Sequence, residues 1–221
     1  EVIIIDNQSK DTTIKRLSSY DDLKIIKIKQ FTPGKALNKG IAVSKGEYIV
    51  CLSGHCIPTS KYWLENLIKD LKKKEIAGIY GRQEPLPYSD DLDKRDLINL
   101  FGIEKKIQNK DPFFHNANSA FKKKTWLKFK FDEKLTNIED RAWGQMVINH
   151  GLKIVYEPAA SVYHWHGVNH GLDPVRTESV VKVLEKLNNL KPKKDKGKRQ
   201  KIYAFIPIKG KSKKINNTYL I

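Results

Sequence analysis

Four short clusters hold the residue types that do chemistry. Asp6-Asn7-Gln8-Ser9 follows an unbroken β-branched run at the start of the chain. An acid at a strand end can accept hydrogen bonds from a base or a ribose, although Asp, Asn and Ser also serve well as helix caps. Cys51–Pro58, CLSGHCIP, places His55 after a second apolar run and beside Gly54. A neutral imidazole presented at such a rim can ligate a divalent transition metal, and a lone histidine can equally be a plain structural residue. Glu139-Asp140 are adjacent carboxylates where a helical pattern begins. Acids there interact well with the helix macrodipole. One of them can also act as a general base toward a hydroxyl nucleophile, and their adjacency raises one pKa by like-charge repulsion. The segment 162–170, VYHWHGVNH, holds three of the chain's six histidines. His164 and His166 alternate, so on one strand both face the same way and can hold a metal or a diphosphate.

The elements that carry these clusters follow from hydrophobic period. Apolar, β-branched or alternating runs predict strands at EVIII (1–5), KIIKIKQF (24–31), EYIVCL (47–52), IAGIYG (76–81), KIVYEP (153–158) and SVYHWH (161–166), with SAFKK extended. Helical spacing predicts helices in KALNKGIAVSKG, closed by Gly46, and in KYWLENLIKDLKK, where Trp63, Leu64, Leu67, Ile68 and Leu71 share a face. RDLINLFGIEKKI, DRAWGQMVINHG and ESVVKVLEKLNNL read as further helices, the last with Val180, Val183, Leu184, Leu187 and Leu190 on its apolar side. Strands alternating with helices predict an α/β domain with a largely parallel sheet. Such sheets bind ligands outside the carboxyl ends of their strands. DNQS, SGHC and the GRQ that contains Arg82 all fall just after strands, so the unusual polar residues sit where this fold binds ligands.

The chain has 221 residues, enough for one domain with a substantial core. No run of roughly 18 apolar residues exists, so the sequence encodes no transmembrane helix of the ordinary kind. Cys51 and Cys56 are the two cysteines and support neither a zinc framework nor a disulfide scaffold, which points to a reducing compartment. The net charge of +17 invites a nucleic-acid reading, but it is unevenly placed. Residues 191–214 hold eleven basic residues and one acid, leaving +7 on the rest. KPKKDKGKRQ (191–200) reads as a solvated linker, and no aromatic is interleaved with it for base stacking. Met146 is the sole methionine, which suggests that the chain is a piece of a longer protein.

The ordered set of segments resembles glycosyltransferase family 2, of the GT-A fold. The resemblance runs through VIIIDNQSKDTT, GKALNKGIAVSKGEYIVCL, SGHCIPTSKYWLENL, FFHNANSAFKKKTW and FDEKLTNIEDRAWGQMVINHGLKIVYEPAASVYHWHG, about residues 1–170. It looks most like the bacterial, rhamnosyltransferase-like branch that builds surface polysaccharides. The resemblance implies a Rossmann-like, mostly parallel mixed sheet flanked by helices, whose family-typical first strand would precede residue 1. It implies an inverting, single in-line transfer from a nucleotide-sugar donor to a saccharide or lipid-linked acceptor. Asp6 would meet the nucleobase, with Asn7 and Ser9 beside it. Lys35 and Asn38 would line the nucleotide site, and Ser53, Gly54 and Arg82 would stand at the donor. Asn116, Asn118 and Ser119 would line the donor or acceptor pocket. Asp140 would be the base, with Glu139 next to it.

The family's acidic DxD motif reads Ser53-Gly54-His55 here, so both carboxylates are replaced. Either His55 takes the place of the metal-binding acid, or a divalent ion, Mn²⁺ or Mg²⁺, is held mainly by the diphosphate and His164, or the chain works without a metal; imidazole favours Mn²⁺ because Mg²⁺ wants oxygen ligands. The same loss leaves open a sugar-nucleotide-binding pseudoenzyme. A cytoplasmic protein with peripheral contact at the inner face of the membrane is expected, and nucleic acid is not an expected partner. The transferase domain is expected over 1–190, with a basic linker at 191–201. Residues 202–221 resemble the opening strand and phosphate loop of cytidylyltransferases that make CMP-activated acidic sugars, through Lys209-Gly210-Lys211-Ser212-Lys213-Lys214. That reading makes them the start of a second domain.

Overall fold

A computed structural model describes residues 1–168 and 173–189. The expectations for the linker 191–201, for the segment 202–221 and for His170 lie outside the described residues.

The chain opens with a small βαβ unit. β1 (Val2–Asp6) and β2 (Leu23–Lys27) pair in parallel from Val2↔Leu23 to Asp6↔Lys27, with the short α1 (Thr13–Leu17) between them. α2 (Pro33–Val43) follows, and its start is fully specified by sequence. Thr32 accepts a hydrogen bond from Lys35 N–H, and Pro33 occupies the first turn, where no N–H is needed. The helix ends at Val43 with Ser44 extended, two residues before the Gly46 expected to close it. Gly40 lets α2 approach β1, because an added Cβ would meet the Ile5 side chain at 3.2 Å.

The larger sheet has six strands. These are β3 (Tyr48–Leu52), β4 (Cys56–Pro58), β5 (Ile76–Pro85), β6 (Lys106–Gln108), β7 (Asn118–Lys122) and β8 (Lys153–His164). Their order is β3-β7-β5-β8-β4, with β6 also on β8. β8 is long enough to serve two partners on one edge: β6 pairs with residues 154–156, and β4 with residues 162–164. The two segments predicted as separate strands at 153–158 and 161–166 are therefore one strand.

The sheet is mixed, as expected, but antiparallel pairing dominates it. Among the described residues β1–β2 and β5–β8 are parallel, and β3–β7, β5–β7, β4–β8 and β6–β8 are antiparallel. The expectation of a largely parallel sheet is corrected for a physical reason. It counted helix-linked crossovers, whereas β4, β6 and β7 are short strands reached through loops and enter in the opposite direction. β6 itself arises inside RDLINLFGIEKKI, where α4 (Asp91–Leu100) stops and IEKKIQ turns into an edge strand.

Helices cover both faces of the sheet. Side chains alternate along the strands, so Phe121, Ile154 and Tyr156 join one cluster while Ala120, Val155 and Ile79 join the other. The first cluster centres on Trp143 from α6 (Glu139–Asn149), against Phe114, Phe121 and Phe131. The second takes Leu67 from α3 (Trp63–Ile68) and Leu71 from the 3₁₀ turn after it. Burying one such side chain contributes about 1.5–3 kcal/mol, which fixes both helices against the strands. α5 (Lys123–Lys128) and α7 (Pro174–Leu187) complete the described elements.

Candidate functional site

The carboxyl ends of β3, β5 and β8 converge on one corner, and four histidines meet there. His55 lies in the short loop between β3 and β4, closed by a Cys56 N–H to Ser53 carbonyl bond of 3.0 Å. β4 pairs with the end of β8 so that Cys56 sits opposite His164. This pairing swings His55 over β8, and its Nε2 lies 3.0 Å from His164 Nε2. The His166 ring packs 4.7 Å from His55 and 4.5 Å from His164, and the His115 ring stands edge-on to His164 at 6.5 Å. Gly54 has open space around a would-be Cβ, so the loop leaves the approach to His55 clear.

This set is rich in nitrogen and holds no carboxylate. The ligating atoms of His55, Cys56 and His164 all lie within 4.8 Å of one another. Cys56 therefore joins the cluster, although the two cysteines read alone gave no metal site. Such donors fit an ion that accepts imidazole, and fit Mg²⁺ poorly. Burial lowers the His55 pKa, with His166 and His115 adding to the effect. Burial also pushes the Cys56 thiol up to about 12.

The carboxylate pair lies beside this cluster. Ile138, at the helix start, adopts a left-handed φ of 45°, a costly conformation for a β-branched residue. It delivers Glu139 and Asp140 into the first turn of α6, where the macrodipole favours them. Asp140 Oδ2 accepts the Asn116 backbone N–H at 3.0 Å, and Oδ1 accepts Arg141 N–H at 2.8 Å. Glu139 Oε1 accepts the Asn116 amide at 3.2 Å. Ser119 Oγ then donates to Asn116 Oδ1 at 3.1 Å. Glu139 is buried, and desolvation together with the Asp140 charge pushes its pKa up to about 8. Asp140 stays partly exposed, so it is the carboxylate that a substrate can reach.

His115 links the two halves. Ala117 N–H donates to its Nδ1 at 3.4 Å, which leaves the proton on Nε2, and the Gln83 amide donates to the same Nδ1 at 3.1 Å. Burial lowers its pKa, against the pull of Asp140. Neither His115 nor Gln83 was singled out from the sequence, although FFHNANS and GRQ were both marked. Their roles need a contact across 32 residues of chain that local pattern does not carry.

The remaining expected residues divide into three groups. Asp6 is buried at the end of β1, its Oδ1 accepts Ser9 N–H at 3.1 Å, and Oδ2 has no hydrogen-bond partner. The Ser9 hydroxyl and N–H hold its pKa below the usual value. It does not cap α1, which starts at Thr13, and Asn7 and Ser9 are exposed beside it. Lys35 lines a cleft of about 520 Å³ with Lys27, Lys29, Lys39 and Lys130, apart from the histidines. Arg82 reaches Glu84 at 3.7 Å, and its buried Nε has no partner.

Asn38 and Asn118 are buried and hydrogen-bond within the fold. The Asn38 amide donates to Phe131 carbonyl and Glu133, and its oxygen accepts Trp126 Nε1 and Phe131 N–H. The Asn118 amide donates to the Arg82 and Ala160 carbonyls, and its oxygen accepts Trp63 Nε1. Asn38 spends its whole amide on the fold, and Asn118 spends both amide hydrogens and one oxygen lone pair on it. Ser119 is buried and acts through Asn116.

The fold that carries this corner is found in known proteins. The chain is 28% identical over 178 residues to the O-antigen chain rhamnosyltransferase WbaN of Salmonella anatum, covering 75% of this chain and 56% of that one. It is 25% identical over 181 residues to the O-antigen chain rhamnosyltransferase RfbN of Salmonella typhimurium, covering 75% and 57%. The chain thus spans just over half the length of these relatives. Among solved structures it is similar to GalNAc-T7 bound to UDP, GalNAc and Mn²⁺, with a TM-score of 0.62 at 16% identity over 84% of this chain and 41% of that one. It is also similar to the mannosyltransferase PcManGT of Pyrobaculum calidifontis with GDP-Man and Mn²⁺, with a TM-score of 0.56 at 17% identity over 74% and 47%. These structures share the GT-A fold with this chain. The Glycosyl transferase family 2 profile matches residues 1–128, more than half of the sequence, and the chain belongs to that family.

Proposed function

We propose that the chain moves a sugar from a nucleotide-sugar donor to a saccharide or lipid-linked acceptor in surface-polysaccharide synthesis, with inversion at the anomeric carbon. The observation that carries this reading is Asp140, a reachable carboxylate held by two backbone N–H groups beside the histidine cluster. Asp140 takes the proton of the acceptor hydroxyl. The acceptor oxygen forms its bond to the anomeric carbon as the bond from that carbon to the diphosphate oxygen breaks, and the electron pair leaves with the diphosphate. Glu139, kept neutral over much of the physiological range, adds no second negative charge beside the base.

A divalent ion, when bound, offsets charge on the leaving diphosphate. His55 and His164 are the residues that would hold it, and the Mn²⁺ bound in two structural neighbours supports a divalent ion in this fold. The unpartnered Asp6 Oδ2 is an acceptor suited to a nucleobase N–H, with Asn7 and Ser9 at its rim. Lys35, Ser53, Gly54 and Arg82 complete the donor side. The names of the relatives make rhamnose the first donor sugar to test. A lipid-linked acceptor would be met by peripheral contact at the inner face of the membrane; no helix among the described residues is long and apolar enough to cross one.

The test is transfer by the intact protein from nucleotide-activated rhamnose, with Asp140→Asn alongside. The reading expects nucleotide binding in both proteins and turnover only with Asp140. A pseudoenzyme binds nucleotide and turns over in neither. Turnover that survives Asp140→Asn removes Asp140 from its role.

A further inference from the structure

Two large aromatic side chains stand in water just beyond the carboxyl ends of β5 and β8. Trp165 is 59% exposed and Tyr88 69%. Their ring centroids lie 5.6 Å apart at 66°, edge to face, so one broad ring face stays open. The other indoles are spent on the fold. Trp126 and Trp143 are buried, and Trp63 donates to Asn118. Scattered exposed aliphatic side chains are ordinary, but two adjacent aromatic rings left in water at the edge of a polar site mark a binding surface.

The fold brings this pair together deliberately. β5 and β8 run side by side in parallel, with Glu84↔Tyr163 and Pro85↔His164 in register at their carboxyl ends. The chain after β5 turns at once, through a Ser89 N–H to Leu86 carbonyl bond of 3.0 Å. Ser89 Oγ then donates to the Trp165 carbonyl at 3.4 Å. Gly167, two residues beyond Trp165, donates its N–H to Asp93 Oδ1 at 2.6 Å. Tyr88 and Trp165 therefore ride on two short segments tied to each other and to paired strands. They sit at the strand ends where α/β sheets bind ligands. Trp165 lies between His164 and His166 in sequence, so the platform is tied by the chain to the histidine cluster.

The surrounding charge selects the ligand class. Residues 89–96 contain four aspartates against Lys94 and Arg95, a net negative segment that disfavours a diphosphate. A pyranose ring is neutral, carries hydroxyls for acidic acceptors, and presents a face of C–H groups whose partial positive charge suits the negative face of an aromatic ring. We infer that Tyr88 and Trp165 form the platform on which a pyranose ring of the acceptor saccharide lies, on the side of the histidine cluster away from the donor diphosphate. This inference rests on the sugar-transfer reading for the identity of its ligand.

The test uses the full chain and four methyl pyranosides, of rhamnose, galactose, mannose and glucose, observed by saturation-transfer NMR. Binding of UDP, GDP and dTDP with Mn²⁺ is measured on the same samples. At least one pyranoside is expected to receive saturation at its ring C–H protons. That signal is expected to fall about tenfold in Trp165→Ala and in Tyr88→Ala, and to survive in large part in Trp165→Phe. Nucleotide affinity should change less than about twofold, the size of effect expected of sites that share no contacts. Nucleotide binding without any pyranoside signal, or a signal indifferent to both alanine variants, overturns the platform. A change in molecular mass or in vesicle binding on Trp165→Ala with the pyranoside signal intact also overturns it, assigning the rings to another partner. Trp165-dependent pyranoside binding with no nucleotide bound supports the platform while removing the donor half of the transfer reading.

Discussion

Asn116 holds Asp140 through its backbone N–H at 3.0 Å and reaches Glu139 with its side chain, so a single residue sets the position of both carboxylates. The bond to Asp140 is main chain to side chain. Substitution at residue 116 therefore leaves it in place and releases Glu139 and the Ser119 hydroxyl.

That asymmetry separates two roles. Asp140→Asn is expected to lower kcat by about 10²–10⁴-fold, the usual contribution of a general base, with nucleotide affinity little changed. Asn116→Ala, which frees Glu139 but keeps the N–H, is expected to cost kcat far less. Steady-state kinetics on both variants decides; equal losses would mean that the side-chain bond to Glu139 matters as much as the base.

The raised pKa of Glu139 has a consequence for stability. A carboxyl whose folded pKa of about 8 lies above its unfolded value binds more protons in the folded state between those two values. Stability from this group is therefore greatest at low pH and is lost as pH rises from about 4.5 toward 8, the window between the two values. Burial of His55 and His115 acts in the opposite sense, because their lowered pKa values cost stability as pH falls through the imidazole range. In thermal melts across this range, the stability of the wild type relative to Glu139→Gln should fall as pH rises. Parallel curves would place Glu139 in the charged state throughout.

Ion preference follows from the ligand atoms. The protein is expected to bind Mn²⁺ more tightly than Mg²⁺, and His55→Ala or His164→Ala to weaken Mn²⁺ binding by at least about tenfold. His55→Asp should narrow the gap by restoring an oxygen ligand for Mg²⁺. Titration calorimetry or Mn²⁺ EPR reads all four proteins, and a strict Mg²⁺ requirement in the wild type would refute the assignment.

Gly81 tests the sheet that carries the site. An added Cβ would lie 1.9 Å from the Ala160 carbonyl oxygen and 2.4 Å from Asn118 Nδ2, so Gly81→Ala forces β5 away from β8. A loss of about 3 kcal/mol or more is expected, since backbone blocks the only relief. Asn118→Ala should cost about 2–4 kcal/mol by leaving two carbonyls and an indole N–H unpaired. Denaturant unfolding measures both.

His55, His164, His166 and the acid pair stand out in the sequence because each is marked by local order, a polar cluster directly after an apolar run or adjacent acids at a helix start, whereas His115 carries no such mark. The roles of Asn38 and Asn118 are not legible there either. Both are polar residues in segments that resemble donor-binding ones, yet their partners are Phe131, 93 residues on, and Arg82 and Ala160, 36 and 42 residues away. A pattern of apolar period says where a side chain points and nothing of which distant carbonyl it will meet. β6 was hidden for a related reason. Its KIQ suits a helix or a strand, and the open edge of β8 decides between them.

The β4–β8 pairing fixes the position of residue 55 against His164 whatever its side chain. In the genetic code the aspartate and histidine codons differ by one base. A single base change can therefore swap imidazole for carboxylate at this corner while strands, loop and acid pair stay as they are.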